Sequence, residues 1–218
     1  MSTGLRRFRE PAVPGPPVSP GARCCELCAE PIGERHAHVV DVGGRALMCA
    51  CRGCHLLFTT EGAAMGRFLA VPGRHLYAPR LALSEADWQE LRIPVRMAFF
   101  FRNSVLGRTV ALYPSPGGAT ESELPAETWE RVLAANPALA GVRADVEALL
   151  VDRGPDGFAG HLVPIDACYE LVGLVRTLWK GFGGGQEAWE AIDSFFADLR
   201  ERGQVVGGPA GEGGGGRD

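Results

Sequence analysis

The sequence has almost no lysine. Lys180 is the single one, every other basic residue is arginine, and 22 basic against 26 acidic residues leave a net charge of −4. A protein built to hold nucleic acid usually carries a basic face or stripe, and here nothing basic clusters beyond Arg6-Arg7-Phe8-Arg9, so no nucleic-acid partner is expected. Nor does any apolar run approach the length of a membrane-spanning helix, so no membrane insertion is expected. The N-terminal stretch is rich in arginine and proline and has no apolar centre, unlike a secretory signal, which points to a cytoplasmic location. No phosphate loop is present, because Gly181–Gly185 follows a helical pattern rather than a strand. No nucleophile, base and orienting group stand at a readable spacing, so catalysis is not expected. Internal repeats are absent as well.

What the sequence does have is cysteine in one place. Six of the seven cysteines (Cys24, Cys25, Cys28, Cys49, Cys51 and Cys54) crowd into one short segment, and Cys168 stands apart. In a reducing compartment such clustering favours metal over disulfide. Cys25 with Cys28 and Cys51 with Cys54 form two Cys-x-x-Cys pairs, and two residues between cysteines let the backbone wrap one face of an ion. These four are the expected metal ligands. The expected ion is zinc, with rubredoxin-like iron as the alternative, because a tetrahedral four-sulfur site suits both. A four-iron cluster, whose usual spacings are different, stays as a minor alternative. Cys24 and Cys49 are spare thiols, either exchangeable ligands or small residues without a role.

Between the pairs lies an alternating segment broken by Gly43-Gly44, which reads as a hairpin with both glycines in the turn at positive φ. In that register Val40 faces Leu47, His38 faces Cys49 and His36 faces Cys51, all on one side. His36 and His38 are then either neighbours of the metal or half-exposed strand residues, and a one-residue slip would send them to the opposite face. A knuckle, a hairpin and a second knuckle opening a helix at His55-Leu56-Leu57 describe a treble-clef or zinc-ribbon module.

The rest reads as an α+β domain, an antiparallel sheet with helices packed on it. Residues 1–22 form a proline-rich disordered tail, 23–66 the metal module, 67–205 the core domain, and 206–218 a glycine-rich disordered tail. Ser84-Glu85-Ala86-Asp87 opens a short helix with a capping box. Val95–Phe101 and Gly107–Tyr113 pair as a hairpin whose three phenylalanines belong in the core. Pro114–Ser122 reads as a turn-rich loop. Val146–Val151 is a further strand and Gly154–Gly160 a turn. Asp166 is placed to cap a helix beginning at Ala167, and Cys168 falls in its first turn, where the dipole lowers a thiol pKa.

The segments C-E-L-C, M-C-A-C-R-G-C-H-L-L-F, R-I-P-V-R-M-A-F-F-F, Y-P-S-P-G-G-A-T-E-S, D-V-E-A-L-L-V and V-P-I-D-A-C-Y-E-L-V-G-L-V-R-T-L-W together resemble an uncharacterised family common in actinobacteria. Its members are encoded among the genes for uptake nickel–iron hydrogenases and their maturation factors. The resemblance implies an accessory protein of hydrogenase assembly or function, acting through contacts with hydrogenase subunits or maturation factors. Two other readings stand beside it. One is a zinc-ribbon regulator that binds nucleic acid. The other is an enzyme using the Pro114–Ser122 loop with Glu121, Asp166 or Cys168.

Overall fold

A computed structural model describes residues 23–60 and 62–207. The two expected tails, 1–22 and most of 206–218, lie outside the described residues. Two sheets carry the α+β fold: a three-stranded one in the order β2-β1-β3 and a seven-stranded one in the order β10-β4-β9-β8-β5-β6-β7.

The small sheet begins with the hairpin β1 (Ala37–Asp41) and β2 (Ala46–Ala50), followed by α1 (Arg52–Leu57). Its register is the one read from the sequence, with Val40 opposite Leu47 and His38 opposite Cys49. The turn differs. Arg45 alone takes the left-handed conformation (φ 51°), and neither Gly43 nor Gly44 does. The Asp41 side chain organises the turn by accepting from the Gly44 amide at 3.1 Å. A Cβ on Gly44 would lie 3.0 Å from that carboxylate, so glycine is needed there for room rather than for φ. Beyond the module read as 23–66, β3 (Phe68–Ala70) pairs with β1 and completes the small sheet.

The large sheet is built from β4 (Leu76–Ala78), β5 (Met97–Asn103), β6 (Arg108–Ser115), β7 (Gly118–Ser122), β8 (Glu147–Gly154), β9 (Gly157–Pro164) and β10 (Gln204–Val205). All its pairs are antiparallel except β10 with β4. Two segments expected to be turns are largely strand. Pro114–Ser122 is the β6–β7 hairpin, with Ser115 opposite Gly118, and Gly154–Gly160 holds a tight turn and the start of β9.

The interior strand β5, between β8 and β6, is apolar on both faces because both are covered. Met97 and Phe99 point to one cluster with α4 (Ile165–Leu178) and α5 (Gln186–Arg202), through Cys168, Leu171, Ile192 and Phe196. Ala98 and Phe100 point to the other, where α2 (Glu85–Glu90) and α3 (Ala126–Ala135) contribute Trp88, Trp129 and Val132. Phe100 stacks on Trp129 at 4.1 Å between centroids. The first turn of α2 carries the expected capping box: Ser84 Oγ accepts from the Asp87 amide, and the Asp87 carboxylate accepts from the Ser84 amide.

The small sheet rests on the α4 side of the core. Val40 and Val71 are buried in that cluster, with Leu47 and Leu69 packed against it. An ion pair that is buried on one side only ties the segment after β3 to β8: the exposed Arg74 gives two hydrogen bonds, 2.9 and 2.6 Å, to the fully buried Glu147 carboxylate. Among the described residues, no helix is long and apolar enough to cross a membrane.

Candidate metal centre

The β1–β2 hairpin has two working faces. Val40 and Leu47 turn to the core, while Val39 and Ala50 pack with Cys25, flanked by Leu27, Ile32, Phe58 and Phe68. This second cluster also holds Cys51 and Cys54, and it fixes where the sulfurs meet.

Each knuckle is shaped by its own backbone. In the first, the Ala29 amide donates to the Cys25 carbonyl and the Cys25 amide to the Glu30 carbonyl, both at 2.8 Å, with Ala29 left-handed at φ 62°. In the second, Cys51 caps α1, its sulfur accepting from the Cys54 amide at 3.4 Å. Glu26 joins the two. Its amide donates to the Cys49 carbonyl at 2.9 Å, and its carboxylate accepts from the Cys49 amide. His55 Nε2 donates to the Val71 carbonyl at 2.9 Å, which ties α1 to the end of β3.

Cys25, Cys28, Cys51 and Cys54 therefore lie together, their sulfurs all within 4.8 Å of one another. The Cys28–Cys51 separation is 3.6 Å. That is far beyond the roughly 2.05 Å of a disulfide. It is close to the edge of about 3.8 Å for a tetrahedron with metal–sulfur bonds of about 2.3 Å. The group can hold a metal ion.

The thiol acidities show what the arrangement lacks without a cation. Burial resists ionisation of Cys25, but hydrogen bonds from the amides of Cys51, Leu27 and Cys28 outweigh it and bring that thiol down to about 6. Cys54 is pushed up to about 12, first by its contact with the Cys28 sulfur and then by burial. The first thiolate forms readily and the last is opposed by its neighbours. A divalent ion at the centre removes that opposition.

Other residues singled out in the sequence fall elsewhere. Cys49 is grouped with His36 and His38 rather than with the four sulfurs. Cys24 bridges to Pro31 at the first knuckle. Cys168 is completely buried, and burial raises its thiol well above the usual value, opposite to the dipole-lowered thiol expected there. Glu121 makes an exposed 2.7 Å ion pair with Arg108. Asp166 is not a helix cap, since α4 starts at Ile165. Its carboxylate accepts instead from the Ala167 amide and, at 2.8 Å, from His38 Nδ1. Sequence reasoning missed this last pair because 128 positions separate its members and nothing local marks either one. Glu26 is closer to legible, lying between two ligand cysteines, but its reach to Cys49 appears only once the hairpin register is set.

A family model described as Family of unknown function (DUF5947) matches residues 24–203, and the chain belongs to that family. No curated protein and no solved structure matches it.

Proposed function

We propose that this member of the family is a zinc protein whose four-thiolate ion staples the N-terminal module, and that it serves as an accessory protein through contacts with other proteins. The observation that carries the reading is the convergence of four cysteine sulfurs from two knuckles within 4.8 Å. Four thiolates fill a tetrahedral shell, so this ion has no open position and its role is structural. Zinc is favoured over iron because a closed shell without redox chemistry suits a staple. Iron in the same shell would instead carry one electron.

Metal analysis of the purified full chain tests this. At least one zinc per chain is expected, and Cys25→Ser and Cys51→Ser are expected to lose the four-thiolate ion, with collapse of amide-exchange protection across β1 and β2. A red, paramagnetic protein would shift the reading to iron, and a metal-free folded protein would end it. The finer proposal, service to nickel–iron hydrogenase assembly or function, is supported by the motif resemblance. Affinity purification from a host expressing the hydrogenase checks it: recovery of a hydrogenase subunit or maturation factor is expected, and consistent absence of both refutes it.

A further inference from the structure

Outside the four-thiolate group, a second set of donors meets on the wall of an open cleft of about 1090 Å³ between the small sheet and the α4 side of the core. His36, His38 and Cys49 each offer a ligand atom within 4.8 Å of the others. The hairpin register explains why. Cys49 stands directly across from His38, and His36 lies two residues earlier, its ring 4.8 Å from that of His38.

The hydrogen bonds fix how the two rings are presented. His36 Nδ1 lies 2.9 Å from the Gly33 carbonyl oxygen and 3.0 Å from that of Glu34. A carbonyl only accepts, so Nδ1 carries the proton and Nε2 the lone pair. That Nε2 is buried and has no hydrogen-bond partner. A buried polar atom left this way is costly unless something fills it. His38 Nδ1 donates to the Asp166 carboxylate, which leaves its Nε2 as the second lone pair. An acceptor on the far nitrogen is the usual support of a metal-bound imidazole.

We propose that His36 Nε2, His38 Nε2 and Cys49 Sγ bind a second zinc ion, distinct from the four-thiolate one, with its fourth position open to the cleft. Two imidazoles and one thiolate are ordinary zinc donors, and three protein ligands plus an exchangeable water is the coordination of reactive rather than structural zinc. Tetrahedral edges for such donors are about 3.5 Å, so the cluster closes by about 1 Å through side-chain rotation. Asp166, on α4, is the positioning residue that holds the His38 ring. The open position takes water or a small anionic donor in its place.

The test counts zinc in the full chain after equilibration with buffered free zinc. Two ions per chain are expected in the wild type, and one in His36→Ala and in Cys49→Ser. Asp166→Asn is expected to weaken the second ion by about 10–100-fold while leaving the first untouched. With cobalt in place of zinc, azide should perturb the bands that Cys49→Ser removes and leave the four-thiolate bands unchanged. A wild type that takes up one ion, retained in Cys49→Ser and lost in Cys51→Ser, overturns this proposal and leaves the four-thiolate reading standing. An ion lost in Cys49→Ser and kept in Cys51→Ser does the reverse. Unaltered zinc affinity in Asp166→Asn refutes the positioning role.

Discussion

Replacing His161 by phenylalanine should remove a defined part of the protein's acid sensitivity. His161 lies in β9 beneath α5, only 1% exposed, stacked on Tyr77 at 4.9 Å and tilted against Phe196 at 5.6 Å. Neither of its ring nitrogens has a hydrogen-bond partner. Burial, aided by the positive charge of Arg200, lowers its pKa from 6.5 to about 4. Below pH 6.5 the unfolded chain therefore takes up a proton that the native ring refuses until about pH 4. Stability falls as pH drops through that window and levels off beneath it. A gap of about 2.5 units at about 1.4 kcal/mol each sets the full loss at about 3.5 kcal/mol, of which about 3 is reached by pH 4. The phenylalanine ring keeps the stacking and has nothing to protonate. Urea unfolding of both proteins at intervals from pH 7 to pH 4 measures the difference directly. The variant's advantage should grow by about 3 kcal/mol over that range, and every other titrating group, metal ligands included, cancels in the comparison. Parallel curves would falsify the assignment of a neutral, unpartnered ring.

Three further substitutions probe the scaffold. Arg74→Met should cost about 1–3 kcal/mol, because it takes two hydrogen bonds from the buried Glu147 carboxylate and leaves it the Arg143 amide alone, and Arg74→Met with Glu147→Leu should recover most of it, both read by denaturant midpoints. Gly203→Ala would put a Cβ 2.8 Å from Tyr77 Cβ and 3.0 Å from the Leu199 carbonyl oxygen. Because neither neighbour is a flexible side-chain end, it should cost about 2 kcal/mol in thermal unfolding. Ser84→Ala removes the α2 cap and should cost about 1 kcal/mol, without altering zinc content.

Local chemistry is what made parts of this molecule legible in advance. The two cysteine pairs and the alternation around Gly43-Gly44 set the hairpin register, since apolar residues at every second position allow one face inward. The capping box at Ser84 and the β5–β6 hairpin are equally local. What escaped depended on partners far along the chain. Gly154–Gly160 looks like a turn because glycine usually marks one, yet Gly160 sits in a buried strand. A Cβ there would come 2.8 Å from a Leu81 methyl and 2.9 Å from one of Leu139. That glycine answers a packing demand made by two side chains remote in sequence. The G-A-T-E-S stretch of β7 carries no apolar signal because it is an edge strand, paired only with β6. The His38–Asp166 contact needed the whole fold.

Strand β4 has a consequence for the order of events at the ribosome. Leu76 lies beside both Leu162 and Gln204, so the larger sheet stays incomplete until Gln204 has been made. The first knuckle, the hairpin and β3 are all synthesised before β4, and the knuckles and hairpin bond largely to one another, while Val40 and Val71 wait for α4 to cover them. Translation thus exposes a segment able to capture its ion and close while the remainder is still emerging. With the zinc proposed above, a shortage of that ion during synthesis would release chains whose earlier-made module is left open.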